Sequence, residues 1–167
     1  LTEQHSATRA FIIGEGQDRP AMQQLAQSLG IADITTFTGW VDPGDVAAYL
    51  HAADIFVGPS RTAANGWVEA QGLTFLEAMV ARTPVIASRI GGIVDAVQHE
   101  RTGLLVDERA PEQIARAVQR LTTDSLLRSQ ITENAFAHAR ASFSRGASAA
   151  KFVDLFGDLA GTRRPAA

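Results

Sequence analysis

A chain of 167 residues, 46% apolar and 20% charged, has the size and balance of one globular domain with a buried core, which excludes a disordered or collagen-like polymer. Fifteen Lys and Arg against eighteen Asp and Glu leave a formal charge of -3, so there is no broad positive field to hold a polyanion such as DNA. Cysteine is absent, which removes disulfides, thiolate nucleophiles and Cys-based metal sites and suits a reducing compartment. No apolar run approaches the roughly 20 residues of a bilayer span, no signal peptide is visible, and the first residue is Leu1 rather than Met, as in a piece of a longer protein.

Short apolar runs of strand length alternate with segments of helical period, the pattern of a parallel sheet with helices on its faces. Ala10-Phe11-Ile12-Ile13 reads as a strand ending at Gly14. Met22, Leu25, Ala26 and Leu29 then recur at helical spacing, with Pro20 in the first turn and Gly30 as the stop. Ile34 to Phe37 is the next strand, and Gly39-Trp40-Val41 leads into the cap Asp42-Pro43 of a helix reaching about Ala52. Asp54 to Val57 is a third strand, closed by Gly58-Pro59-Ser60, and Arg61 to Gln71 is too polar and Gly-broken to be regular. Gly72 opens a helix to Val80 or Ala81 that is apolar almost all round, which predicts burial on several sides. Pro84 to Ala87 and Gly103 to Val106 are further strands, separated by the Gly91-Gly92 turn and a short helix to about Gln98. The remainder is helical, one segment marked by Pro111, Ile114, Ala117, Val118 and Leu121 and the last by Phe152, Leu155, Phe156 and Leu159. The expected domain spans residues 1–162, with 163–167 as a loose tail.

The segment richest in chemistry is Glu69-Ala70-Gln71-Gly72-Leu73-Thr74-Phe75-Leu76-Glu77, which sets two carboxylates eight apart across a helix start. Backbone N–H groups at a helix start lack internal partners and carry the positive end of the dipole, so Gly72, Leu73 and Thr74 suit a phosphate. Gly72 would let the ligand approach the backbone. Glu77 falls a turn further along an apolar helix, where its charge is costly unless donors such as a sugar diol satisfy it. Glu69, in the loop, would face whatever lies beyond the phosphate. The same residues are also ordinary helix-dipole and turn chemistry, and spacing alone does not separate the two readings.

Six blocks occur in the order found in GT-B glycosyltransferases of family GT4. They are Ile12-Ile13-Gly14-Glu15-Gly16, Phe37-Thr38-Gly39-Trp40-Val41, Ala53 to Val57, Pro59-Ser60 with Glu69 and Glu77-Ala78-Met79, Pro84 to Ser88 with Gly91-Gly92, and Gly103 to Val106. The chain resembles the C-terminal half of those enzymes from about residue 10 to 120. The resemblance implies a Rossmann-like α/β domain that binds a nucleoside-diphosphate sugar, UDP- or GDP-linked, for retaining hexosyl transfer to a hydroxyl acceptor, without an essential metal or other cofactor. It implies that Glu77 takes the ribose hydroxyls, Glu69 stands beside the donor hexose as the catalytic carboxylate, and the Gly72, Leu73 and Thr74 amides cradle the diphosphate. Gly39, Trp40 and Val41 would line the base pocket, Gly14 and Gly16 would border the nucleotide, and Gly91 and Gly92 would sit at the rim. The acceptor, a glycan or lipid-linked sugar, would be held by an N-terminal domain, in a cytoplasmic enzyme peripheral to the inner membrane face and active in polysaccharide or other glycoconjugate synthesis. Without that domain the chain is expected to be inactive as a transferase.

The family pattern more often has Gly and an aromatic at Ala70 and Gln71, which leaves the donor sugar open. It also opens this domain with a strand ending in a Gly-Arg turn near a Lys, and none precedes Leu1. In the doubly wound order that strand lies between those at Ala10–Ile13 and Asp54–Val57, so the expectation is a gap, a direct pairing of the two, or an edge filled by another chain. Other constellations fail. Gly14-x-Gly16 meets Arg19 where a dinucleotide fingerprint needs a third glycine, and no Walker loop is present. His5, His51, His99 and His138 lack ligand spacing, so no metal is expected, and Ser60 lacks a nucleophile elbow. Trp40 and Trp67 have the rings to stack on a base or sugar, but the expectation for either is buried or half-buried packing. A non-catalytic nucleotide-binding or interaction module, and an NAD-type protein, remain the alternatives.

Overall fold

The computed structural model describes residues 8–161, and the expected tail, residues 163–167, lies outside them. The chain falls into two compact units, one through Tyr49 and one from Leu50 onward.

In the first unit, β1 (Ala10–Ile13) and β2 (Thr35–Gly39) pair in parallel, from Ala10 opposite Thr35 to Ile13 opposite Gly39. Between them α1 (Arg19–Ser28) starts with proline in its first turn and stops at Gly30, whose φ is +66°. A single 3-10 turn, Ala32–Ile34, then feeds β2, displacing that strand one residue from its expected start. The helix periodicity does not translate into burial: Ala26 is enclosed, whereas Met22, Leu25 and Leu29 are exposed. Helix α2 (Pro43–Ala52) is capped as expected, the Asp42 carboxylate accepting from the Gly44 N–H at 2.8 Å, and it runs across the boundary between the units.

The second unit is built on three parallel strands, β3 (Phe56–Gly58), β4 (Val85–Ser88) and β5 (Leu104–Val106), with β4 in the middle and buried throughout. Helices α3 (Leu73–Val80) and α5 (Pro111–Thr123) both pack on β4, and α6 (Ser125–Phe143) packs on each of them. A short α4 (Ile93–Ala96) and a terminal α7 (Arg145–Leu159) complete the order. Alternation along the strands sends Ile86, Leu104 and Val106 to one face, where they meet Ala117, Leu121 and Ile131 of α5 and α6. Pro84 has no N–H to donate, so the ladder starts at Val85, with the Pro84 carbonyl accepting from the Phe56 N–H. The fold class is therefore parallel α/β, as expected. Each unit has its own ladder, β1-β2 in the first and β3-β4-β5 in the second. Among the described residues, no helix is long and apolar enough to cross a membrane.

Candidate functional site

The loop of residues 59–72 and the start of α3 collect the candidate residues of the second unit. Gly72 caps α3 in the left-handed region (φ +66°) and is buried, with the Phe75 ring where a side chain would begin: a Cβ there would lie 2.4 Å from a ring carbon. Its lack of a side chain is thus required by the packing of Phe75 itself. Phe75 is fixed in turn by edge-to-face packing on Phe56 at 5.5 Å.

Glu69 lies in the loop, as expected, with its carboxylate turned to the helix start. Its Oε1 accepts from the Gly72 N–H at 3.0 Å and the Gln71 N–H at 3.3 Å, because amides at a helix start have no internal partner and the nearest carboxylate takes them. The Gly72 amide is therefore engaged. The amides of Leu73 and Thr74, at the first two helical positions, have no acceptor among the described residues.

Glu77 overturns an expectation, that α3 is buried on several sides with a sunken carboxylate. The helix buries one stripe, Phe75, Ala78 and Met79, and leaves Leu73, Thr74, Glu77 and Val80 exposed. Apolar residues at 73 and 80 made the helix look enclosed, but they share the open face with Glu77 at helical spacing. Glu77 has no hydrogen-bond or ion-pair partner among the described residues. The helix itself is held down from its far end: Arg82, at φ +61°, pairs with Glu133 and lies 4.0 Å over the Phe136 ring of α6.

Gly91 and Gly92 meet the backbone of the loop. The Gly92 N–H donates to the Glu69 carbonyl at 3.1 Å, and a Cβ on Gly92 would stand 1.6 Å from the Ala70 carbonyl oxygen. Two backbones touch here with no room for a side chain, which places Glu69; the sequence reading had these glycines only at a rim. The structure also supplies residues that reading missed. Glu108, in the turn after β5, accepts from both the Thr62 N–H and the Thr62 hydroxyl, which hold its carboxyl below the usual carboxylate range.

The remaining candidates lie in the first unit, where the two glycine turns meet: the Gly14 N–H donates to the Gly39 carbonyl at 3.0 Å. Arg19, at the position of the absent third glycine, pairs with Glu15 and reaches the Phe37 carbonyl at 3.3 Å, so it braces both turns. Gly16 is open, Val41 is half-buried and Trp40 is 69% exposed. Trp67, in the second unit, is 60% exposed, so neither tryptophan packs as expected. Of the histidines, His5 lies outside the described residues, and the ring of His99 accepts the Leu105 N–H at 3.0 Å. His138 packs edge-on against Phe143. Hollows of about 340 and 400 Å³ lie elsewhere in the second unit, around Arg82 and Arg128 and around Arg89 and Arg116, and neither is lined by Glu69, Gly72 or Glu77.

The family model described as Glycosyl transferases group 1 matches residues 1–138. The chain is 43% identical over 114 residues to the GDP-mannose-dependent alpha-(1-6)-phosphatidylinositol monomannoside mannosyltransferase of Mycobacterium tuberculosis, covering 68% of this chain and 30% of that protein. It thus spans about 30% of the length of these curated relatives. The crystal structure of Anabaena Alr3699/HepE in complex with UDP is 22% identical, with a TM-score of 0.79 over 90% of this chain and 41% of that one. The C-terminal domain of a glycosyl transferase group 1 family protein (LpcC) from Francisella tularensis is 25% identical, with a TM-score of 0.74 over 86% of this chain and 74% of that one. The fold is that of the C-terminal half of GT-B glycosyltransferases.

Proposed function

The chain belongs to the glycosyl transferases group 1 family, and from that premise we propose that it is the donor-binding half of a retaining glycosyltransferase. The observation that carries this reading is the start of α3: two amides without acceptors, at Leu73 and Thr74, between a carboxylate already bound to the Gly72 N–H and an unpartnered one at Glu77. Diphosphate seats on the two amides, where the helix dipole favours its charge. Glu77 accepts from the ribose hydroxyls; being exposed, it needs no rescue from burial, and its use is the satisfaction of two donors. Glu69 exchanges the Gly72 N–H for a hydroxyl of the donor sugar as phosphate arrives, since two anions cannot share one helix start. The bond from the anomeric carbon to the phosphate oxygen breaks, a bond to the acceptor oxygen forms on the same face, and the acceptor's proton passes to the leaving phosphate oxygen. The amides stabilise charge growing on the leaving diphosphate in place, without reorganisation. No metal is required, so turnover persists in a chelator. The acceptor half lies in another domain, as the share of the relatives' length spanned by this chain suggests.

GDP-mannose is the first donor to test, with UDP-glucose second, because the names of a relative and of a solved neighbour contain them. A thermal-shift panel of UDP, GDP, ADP and their sugars on this chain is expected to show stabilisation by one nucleotide series and its loss in Glu77→Ala. No shift with any nucleotide, or a shift indifferent to that substitution, refutes the reading. Transfer by the chain joined to an acceptor half, against binding alone, separates an enzyme from a binding module.

A further inference from the structure

The loop that presents Glu69 has almost no regular structure of its own. Inside it, a tight turn is closed by the Ala63 N–H donating to the Trp67 carbonyl at 2.8 Å and by the Trp67 N–H donating to the Asn65 side chain at 3.0 Å. Hydrogen bonds at its two ends tie it to the rest of the unit. At its exit the Glu69 carbonyl accepts from Gly92. At its entrance Glu108 takes both donors of Thr62, the N–H at 2.5 Å on one oxygen and the hydroxyl at 3.0 Å on the other. Paired use of both carboxylate oxygens fixes direction as well as distance.

Glu108 is itself aimed by the turn it sits in. The side chain of Gln113 accepts from the Asp107 N–H at 2.9 Å and donates to the Asp107 carboxylate at 2.8 Å, tying the end of β5 to α5. The next residue, Arg109, takes a left-handed backbone (φ +56°), a conformation side-chain-bearing residues seldom adopt. The chain thus accepts some backbone strain while Gln113 holds the turn on one side and Thr62 engages it on the other.

We propose that Glu108 is a positioning residue for the donor sugar: by holding Thr62 through both donors it orders the loop 59–71, so that Glu69 is delivered to the hexose. The inference rests on the donor-binding reading above. It makes a selective claim, because the clamp acts on the loop and not on the Leu73 and Thr74 amides or Glu77. Nucleoside diphosphate binding is therefore independent of Glu108, whereas the extra affinity contributed by the sugar depends on it. If the competent loop is populated only a tenth of the time without the clamp, sugar-dependent affinity falls about tenfold.

The test is calorimetric titration of this chain with GDP against GDP-mannose and UDP against UDP-glucose, for the unsubstituted chain, Glu108→Ala, Glu108→Gln and Thr62→Val, with hydrogen exchange read over residues 60–71. Glu108→Ala is expected to lose about tenfold in affinity for the nucleotide sugar and to stay within about twofold for the bare nucleotide, with faster exchange confined to the loop. Glu108→Gln, which still offers an oxygen to the Thr62 N–H and an amide to its hydroxyl, is expected to recover most of both. Thr62→Val keeps the N–H, removes only the hydroxyl, and supplies an intermediate case should Glu108→Ala fold poorly. Equal losses for nucleotide and nucleotide sugar, or unchanged loop exchange in both variants, overturn the proposal. If the unsubstituted chain binds no nucleotide at all, the donor-binding reading falls first, before any variant is compared, and this inference falls with it.

Discussion

The first unit encloses only Ala26 and Gly39 among its described residues, and Phe11, Leu25, Leu29 and Trp40 are exposed. The second buries a continuous set of side chains from β4, β5, α3, α5 and α6, with Met79, Ile86, Ile93, Leu121 and Ile131 fully enclosed. Both were equally apolar to the eye as sequence. The difference lies in how many elements converge: one middle strand flanked on either side and packed by two helices makes an interior, whereas a two-stranded parallel ladder, with no strand flanked on both sides, does not. Polar anchoring differs in the same sense. The first unit is braced by the exposed Glu15–Arg19 pair and a glycine-to-glycine hydrogen bond, the second by buried Thr83 and Thr102 bonded to carbonyls as well as by its core.

The sharpest contrast is predicted for leucines of like sequence environment. Leu121→Ala removes a side chain with no exposure and is expected to cost about 3 kcal/mol by urea denaturation. Leu25→Ala, at 57% exposure, is expected to cost less than about 1 kcal/mol. Similar costs at both positions would erase the distinction between the units. Next in size is a pair of glycines. Gly92→Ala drives a methyl into the Ala70 carbonyl and is expected to destabilise by about 1–3 kcal/mol while displacing Glu69. Gly16→Ala meets no atom within 4 Å and is expected to leave the melting temperature unchanged. A smaller effect follows from the two tryptophans, one in each unit. With Trp67→Phe the fluorescence reports the first unit, and with Trp40→Phe the second. The first is expected to lose its signal at lower urea concentration, whereas coincident midpoints would make the chain one cooperative block.

Much of the architecture was legible because local chemistry and global fold agree in it. Pro20, Gly30 and Asp42 do what their residue types do at helix ends, and the strands follow the apolar runs. Strand limits moved by a residue or two because an apolar run reports burial and a ladder reports hydrogen bonding: Ile55 packs against the core yet stands before β3 begins. Helix α6 was not distinguished from its neighbours, since its buried stripe is Ile131, Ala135 and Ala139, and alanine carries little hydrophobic signal. Its cap at Asp124, which accepts from the Leu127 N–H, was the readable mark. At the candidate site, spacing brought Glu69, Gly72 and Glu77 to one helix start but did not show that Glu77 is exposed, that Glu69 bonds the Gly72 N–H or that Phe75 packs on Gly72. Which stripe of an apolar helix faces inward depends on neighbours distant in sequence, and so does the partner of Glu108, forty-six residues from Thr62.

The smallest predicted effect concerns acid. Among the described residues, two carboxylates held below their ordinary range belong to the second unit: Glu108, through the Thr62 N–H and then its hydroxyl, and Glu100, through a hydrogen bond and then attraction from Arg120. A carboxyl whose folded pKa is depressed stabilises the protein fully above its unfolded value, about 4.3 for Glu, and loses that contribution as pH falls through the lower folded value. The melting temperature is therefore expected to be flat, as far as these two groups are concerned, from neutral pH down to about 5 and to fall below that. Glu100→Gln and Glu108→Gln should each make the acid limb shallower. Salt separates the two. The Glu100–Arg120 pair is exposed and ionic on both sides, so its share should fade in 1 M salt, where the screening length is about 3 Å. The donors to Glu108 are a neutral amide and a hydroxyl, so its share should persist. An acid limb that vanishes wholly in salt would mean that Thr62 does not hold Glu108, and the loop would then lack its entrance anchor.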